Sequence, residues 1–191
     1  MCSPDAQALE TIMLRDGAEA VLRPVRPDDG TRLVALVAGL SDDARHRRFF
    51  VPKRQLTEAE LRYLTDVDHR DHEALLALDG EAGAAVGVAR YIRVPAAPDL
   101  AEAAIVIADD WQRRGLGTAL LGRLADRARA NGVGRFRALV LADNRRALGL
   151  VAHVGSERIV DRDGNMVAVE VRLAAGGLGP GSAARSGRPR G

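Results

Sequence analysis

The stretch that decides the fold of this chain is Trp111-Gln112-Arg113-Arg114-Gly115-Leu116-Gly117-Thr118, which joins two segments of different periodicity. Before it, Ala101 to Ala108 is apolar on both faces except at Glu102, which is typical of a central strand covered by helices. After it, apolar residues recur at helical spacing until Asn131-Gly132 ends the predicted helix. A strand that passes through a glycine-rich turn into a helix aims backbone N–H groups and the positive end of the helix dipole at one point. The sequence therefore predicts an anion site at this turn.

The turn does not match the two common nucleotide-binding motifs. It lacks the Lys-Ser/Thr pair of a P-loop. The dinucleotide-binding motif contains three glycines, whereas this turn has only two, Gly115 and Gly117. The order Gln-x-x-Gly-x-Gly entering a helix instead resembles the acetyl-CoA pyrophosphate loop of the GNAT superfamily of N-acetyltransferases, with Gln112 in the matching place. On these six residues alone, an ordinary strand-to-helix turn is the alternative.

The segments downstream follow the same order as the core of that superfamily. A second strand, Arg135 to Ala142, runs into Asp143-Asn144 and a short helix that ends near Gly155. The resemblance implies an α/β fold: a GNAT-like mixed, mostly antiparallel sheet with a parallel, splayed central strand pair and helices on both faces. It also implies that the pantetheine arm of acetyl-CoA lies between the two parallel strands.

The amino-terminal half predicts a strand at Val21 to Arg26, three capped helices and a β-hairpin. The predicted helix caps are Asp28 or Asp29, Ser41-Asp42-Asp43, and the capping box of Thr57 and Glu60. The hairpin strands are Glu73 to Leu78 and Ala84 to Val94.

The same half sharpens the resemblance. Four of its segments look like the catalytic domain of bacterial Pat-type protein lysine acetyltransferases: Leu22 to Asp29, Leu40-Ser41, Arg48-Phe49-Phe50, and Leu61 to Asp71. The resemblance covers about Val21 to Leu173. In that family the domain is usually attached to a cyclic-nucleotide-binding module or to a domain related to acyl-CoA synthetases, and we expect neither in this chain.

Length and composition predict one folded domain, because 191 residues with 47% hydrophobic content suffice for a single core. We expect a weakly structured leader over residues 1–15 and an acetyltransferase domain over 16–173. Residues 174–191 are rich in Gly, Pro, Ser and Arg and are expected to be a disordered tail.

Charge and cysteine content exclude several classes. The net charge is only +2, with acids and arginines interleaved, and the few aromatic residues form no stacking series, so no nucleic-acid partner is expected. Cys2 is the only cysteine, which excludes an intramolecular disulfide, and we expect no metal. No apolar run approaches the roughly 20 residues of a membrane span, and no signal peptide precedes the domain, so a cytoplasmic protein is expected.

Acetyl transfer to an amine needs a base, because the ammonium of lysine has an ordinary pKa near 10.4. Glu102 lies ten residues before Gln112, close to where GNAT enzymes that acetylate lysine carry their catalytic glutamate. We predict an apolar surround that raises the pKa of Glu102 toward neutrality. A solvent-facing glutamate at a strand end is the alternative.

By resemblance, the main chain of Ile105 and Ile107 binds the pantetheine amides, and Asn144 lies near the cofactor thiol or simply caps its helix. The pyrophosphate is received by the loop: Arg113, Arg114, Gly115, Leu116, Gly117 and Thr118. Arg113 and Arg114 are candidates to add charge for the 3′-phosphate, and exposed turn arginines without a ligand are the alternative. Seven residues beyond Asn144, where many GNAT enzymes carry an acidic tyrosine, stands Val151, so no general acid is assigned.

Three functions fit these residues. The first is acetylation of protein lysines, for which the resemblance implies acyl-CoA synthetases as targets; Asp66, Asp68 and Asp71 are then candidates for docking a basic surface. The second is acetylation of a small amine, and the third is a non-catalytic acyl-CoA sensor. His69 and His72 are expected in a solvated loop rather than as metal ligands or a base. Neither the acceptor nor the oligomeric state follows from the sequence.

Overall fold

The computed structural model describes residues 9–49 and 56–174. Within them, one sheet of eight strands carries helices on both faces. The strands are β1 (Glu10–Met13), β2 (Glu19–Pro24), β3 (His72–Asp79), β4 (Ala85–Val94), β5 (Ala97–Ile107), β6 (Arg135–Leu141), β7 (Gly155–Asp163) and β8 (Met166–Leu173). The helices are α1 (Gly30–Ala38), α2 (Asp42–Phe49), α3 (Glu58–Thr65), α4 (Leu116–Ala130) and α5 (Arg145–Val151).

The sheet contains one parallel pair. The strand order is β1-β2-β3-β4-β5-β6-β8-β7, and every neighbouring pair is antiparallel except β5 with β6. The β5–β6 ladder runs from Leu100 opposite Arg135 to Glu102 opposite Arg137 and then stops. Because β5 continues to Ile107 and β6 to Leu141, the two strands diverge beyond Glu102. The predicted mixed sheet with a splayed parallel pair is confirmed.

Alternation along β3 divides the core between the two faces of the sheet. Leu75 and Ala77 pack into the cluster that contains the buried side of α4. Ala74 and Leu76 point the other way and pack with Leu33 of α1 and with residues of α3. Strands buried on both sides explain why this part of the sequence reads as a continuous apolar run.

The helix caps were predicted with mixed success. At α3 the capping box is confirmed, because the Glu60 N–H donates to Thr57 Oγ1 at 3.2 Å and the Thr57 N–H donates to Glu60 Oε2 at 2.9 Å. Asp29 is the residue before α1, but its side chain makes no cap. Its carboxylate is instead held by Arg23 of β2, an ion pair that local sequence patterns do not show.

The leader expected to be weakly structured over 1–15 contains β1, which pairs with β2 through the register Ile12 to Ala20. Leu14 is buried in the core, and Glu10 is held by Arg123 of α4 at 2.7 Å. These contacts to distant residues order a segment that is too short to show a pattern of its own. As a result β2 is not an edge strand, and Pro24 stands at its end.

Strands β7 and β8 were not predicted. In β7 nearly every residue is exposed, so the strand lacks the apolar alternation that marks a strand in sequence. Residues 1–8, Phe50, Lys53 and the tail from Ala175 lie outside the described residues. In the part of the chain that the structure describes, no helix combines the length and apolarity that crossing a bilayer requires.

Candidate active site

The predicted anion turn lies at the amino terminus of α4. Gly115 is the residue before the helix and has a φ of +96°, a left-handed conformation that glycine adopts without strain. Arg113 also has a positive φ, +65°. The Ala119 N–H donates to the Gly115 carbonyl at 3.1 Å, so the N–H groups of the residues between them point out of the helix end. The turn therefore leaves backbone donors at the end of the helix, and binding of an anion there stays a prediction.

The turn between β1 and β2 supports this loop from outside. The Arg15 N–H donates to the Arg114 carbonyl at 3.1 Å, and Asp16 Oδ2 pairs with Arg114 Nε at 3.1 Å. The Arg114 guanidinium also lies 5.1 Å from the centre of the Trp111 ring, within cation–π range. Because Arg114 pairs with Asp16 and lies over Trp111, its side chain helps to hold the loop in place. Sequence reasoning missed this support because it assigned no structure to the leader.

Two further contacts define the shape of the loop. Gln112 Nε2 donates to the Ile107 carbonyl at 3.2 Å and so ties the loop to the end of β5. A Cβ at Gly117 would lie 3.3 Å from Leu150 Cδ2, so the missing side chain lets α5 approach the first turn of α4. The matched glycine thus has a packing role here, whatever it contributes to binding.

Glu102 stands where the parallel strands begin to diverge. It is the last residue of β5 paired with β6, with Ile92 on one side and Arg137 on the other. The predicted apolar surround is wrong: Glu102 is exposed. The reason lies in the register, which sets an arginine beside it and continues the row with Glu170 and Arg158 on the next strands.

Beyond Glu102, one edge of β5 has no strand beside it among the described residues. Residues 103–107 pair with β4 on their other edge, with Ile105 opposite Ala89 and Ile107 opposite Gly87. The side chains of both isoleucines pack toward the core under α4. The open edge leaves main-chain groups available to an extended ligand, which would bind as an added strand does.

Asn144 lies at the start of α5, on the far side of the divergence. Its Oδ1 accepts the Ala147 N–H at 3.1 Å, so the helix-capping role is confirmed. The NH₂ group of the same amide is not used by the cap and remains able to donate to a ligand. Contact with a cofactor stays a prediction.

The expectation of a solvated loop is only partly correct: His69 lies in the loop before β3 and His72 is the first residue of that strand, but both rings are partly buried. His69 Nδ1 lies 2.8 Å from Oε1 of Glu73, a fully buried carboxylate that Arg127 also contacts at 2.9 Å. His72 is half-buried at the start of β3, where its Nε2 lies 3.1 Å from Arg90 Nη1. The His69 ring is held by a carboxylate four residues further along the chain, and the His72 ring lies against an arginine of β4. Among the residues described, no group of three side chains is arranged to hold a metal ion.

Two of the three aspartates proposed for docking have structural partners. Asp68 Oδ1 accepts the N–H groups of Arg70, Asp71 and His72 at 2.9, 2.8 and 2.8 Å. Asp71 pairs with Arg93 at 2.7 Å. Asp66 is exposed and ends α3, so it is the one of the three best placed to meet a partner.

His72 leads to a prediction on stability. Its burial, together with the neighbouring Arg90, holds its pKa below the ordinary value of 6.5. The unfolded chain therefore binds a proton at His72 more readily than the folded chain. As a result the contribution of His72 to the free energy of unfolding is highest above about pH 6.5 and decreases as pH falls below it. We expect the free energy of unfolding to fall more steeply between pH 7 and about pH 5 in the wild type than in His72→Gln, as measured by urea unfolding.

The control for this experiment is His46→Gln, which changes an exposed histidine of α2. It should keep the wild-type dependence on pH. Equal slopes for wild type and His72→Gln would show that His72 does not carry the effect.

A loop of backbone donors beside a diverging strand pair, with a carboxylate at the point of divergence, is suited to a long anionic ligand such as an acyl donor. Residues 38–155 match the model of the Acetyltransferase (GNAT) family. This range contains the divergence, the loop before α4 and the Asn144 cap, and the chain belongs to that family of acetyltransferases.

The chain is similar to several bacterial acetyltransferases. The chain is 38% identical over 133 residues to acetyltransferase Pat of Mycolicibacterium smegmatis, covering 70% of this chain and 40% of that protein. It is 34% identical over 144 residues to acetyltransferase PA5475 of Pseudomonas aeruginosa, covering 74% and 77%. The solved GNAT domain of S. lividans PAT superposes with a TM-score of 0.79 at 32% identity, covering 86% of this chain and 97% of that one. The chain thus spans less than half of the M. smegmatis protein but nearly all of the S. lividans domain.

Proposed function

We propose that this protein transfers the acetyl group of acetyl-CoA to the side-chain amine of a protein lysine, with Glu102 as the general base. The observation that carries the proposal is the position of Glu102 in the last paired row of β5 and β6. A carboxylate there borders the gap between the strands, where an extended thioester would end. The amine must lose a proton before it attacks the thioester carbonyl, and Glu102 is placed to accept it, directly or through water.

The residues present fit acetyl-CoA. The open edge of β5 offers the main chain of Ile105 and Ile107 to the amides of the pantetheine arm, as an added strand would pair. The diphosphate is then met by the loop at α4, through the backbone of residues 113–118 and the helix dipole. Asn144, the residue before α5, is the candidate near the thiol.

Departure of the CoA thiolate has no assigned acid in this chain. Val151 ends α5 and has no proton to give. A thiolate needs little help, because the ordinary pKa of a thiol, about 8.5, lies far below that of an amine. Water is therefore a sufficient proton source.

The acceptor is a protein rather than a small amine because Glu102 is exposed. An enzyme for a small amine is expected to enclose its substrate in a concave pocket. An exposed base instead suits a side chain presented by another protein. Similarity to Pat-type enzymes supports the same acceptor. The family resemblance of the sequence predicts acyl-CoA synthetases as the target proteins. The sequence also predicts that the reaction takes place in the cytoplasm.

The test is acetyl-CoA-dependent release of thiol in the presence of an acyl-CoA synthetase, a lysine-rich protein and a panel of small amines. We expect release with protein acceptors, and an acetyl group on lysine by mass spectrometry. Release with small amines alone would move the assignment to a small-molecule acetyltransferase. Binding of acetyl-CoA without release under any of these conditions would support the sensor.

A further inference from the structure

We infer that Arg15, in the turn between β1 and β2, binds the 3′-phosphate of acetyl-CoA and so selects this donor over its 3′-dephosphorylated form. The inference rests on the proposed function and assigns a charged contact that lies outside the family's loop. It begins from the position of the turn, which is docked on the loop by the bond from the Arg15 N–H to the Arg114 carbonyl.

The Arg15 side chain extends over the amino end of α4. Its Cγ and Nε each lie 3.6 Å from the place where a Cβ of Gly115 would stand. Gly115 is the residue immediately before the exposed N–H groups of the helix. The Arg15 side chain thus lies at the edge of the predicted diphosphate site, and the turn that carries it is held by a backbone hydrogen bond that a side-chain substitution leaves in place.

Charge distribution separates Arg15 from Arg114. Asp16, the residue next to Arg15, forms an ion pair with Arg114 at 3.1 Å, and Trp111 lies under the same guanidinium. Within residues 9–49 and 56–174, Arg15 is exposed and its guanidinium forms no ion pair. Of these two arginines, Arg15 therefore keeps its charge for a ligand, while Arg114 holds the loop.

The diphosphate and the 3′-phosphate of acetyl-CoA require different binding partners. The diphosphate lies where the backbone N–H groups and the helix dipole provide partners. The 3′-phosphate is a monoester with a second pKa near 6, so it carries a charge close to −2 at neutral pH and calls for a cation. A guanidinium suits it, because it can donate two parallel hydrogen bonds to a phosphate. The turn that carries Arg15 touches the loop through the bond from the Arg15 N–H to the Arg114 carbonyl, so a nucleotide end that extends past the loop on this side would meet the Arg15 side chain.

The experiment measures binding by titration calorimetry of the full chain with CoA and with 3′-dephospho-CoA at low salt. Arg15→Gln should weaken binding of CoA by roughly fivefold to tenfold and leave binding of 3′-dephospho-CoA unchanged. Arg15→Lys should recover part of the affinity for CoA, because it restores the charge without the fork. Arg62→Gln is the matched control: it removes the same charge from an exposed position on α3, across the sheet from α4, and should bind both ligands like the wild type.

Thermal unfolding without ligand reports whether each variant keeps its fold. Equal affinity of wild type and Arg15→Gln for CoA, or an equal loss for both ligands in a folded variant, would overturn the role of Arg15 and leave the proposed function intact. Failure of the wild type to bind CoA would overturn both. A selective loss of CoA binding in Arg15→Gln, without thiol release by any form of the protein, would support the binding contact and contradict the catalytic proposal.

Discussion

Glu102→Gln is expected to lower kcat for acetyl transfer about 10²- to 10⁴-fold and to leave the affinity for acetyl-CoA unchanged. Glutamine keeps the size and hydrogen-bonding capacity of the side chain but cannot take up the proton of the attacking amine. The residue lies at the point where β5 and β6 diverge, and because its side chain is exposed we expect the substitution to leave the core intact. The measurement is the steady-state rate of thiol release, combined with calorimetric titration of acetyl-CoA.

Glu157→Gln provides the matched control, since it makes the same change at an exposed strand position in β7, at the edge of the sheet. It should retain the wild-type rate. A Glu102→Gln enzyme with undiminished kcat would exclude Glu102 as the base. Loss of acetyl-CoA binding in parallel with the rate would instead show that the residue shapes the donor site.

Asp29→Ala is expected to lower the free energy of unfolding by about 3–5 kcal/mol. Asp29 is fully buried, and its two oxygens accept hydrogen bonds from Arg23 Nη1 and Nη2, each at 2.6 Å. The Arg26 N–H adds a third bond at 2.8 Å. Removing the carboxylate leaves Arg23, which is 5% exposed, as a buried charge without its partner. Since whole domains are stable by only about 5–15 kcal/mol, the loss should be evident in urea unfolding.

Two controls separate the ion pair from a general effect of substitution. Asp28→Ala removes an exposed carboxylate one residue earlier and should change stability by no more than about 0.5 kcal/mol. The double variant Arg23→Met, Asp29→Leu replaces both charges by apolar groups and should recover a large part of the loss. If it were no more stable than Asp29→Ala, the cost would lie in packing rather than in an unpaired charge.

The buried pair also has a pH dependence. Burial raises the pKa of Asp29, but the hydrogen bonds from Arg23 and from the Arg26 N–H outweigh it, so the net pKa lies below the ordinary value of 3.8. The folded chain therefore releases this proton more readily than the unfolded chain. The stabilisation from Asp29 is present above the ordinary pKa and is lost as pH falls below that value. The contribution of His72 is lost at higher pH, between about pH 7 and pH 5, so the two effects can be distinguished.

The elements that the sequence predicted are those whose pattern is local. The helical spacing of Leu116, Leu120 and Leu124, the apolar run before it, and the capping box at Thr57 each depend on residues a few positions apart. The family resemblance extended this to the splayed strand pair, because the strand, glycine turn and helix stand in a fixed order along the chain. These features are encoded by periodicity and turn chemistry, which short-range sterics and hydrogen bonds determine.

Only the tertiary structure decided what surrounds those elements. The register of β5 on β6 set Arg137 beside Glu102. Glu102 is exposed as a result, although the sequence of β5 is typical of a buried strand. The docking of the first hairpin gave Arg114 a carboxylate partner in Asp16. Both outcomes depend on which distant strands meet and in what register, and a shift of one residue would reverse the face of every side chain. The sequence by itself therefore determined the strand, the loop and the helix of the donor site, while their electrostatic environment was decided by contacts that form only when the whole sheet assembles.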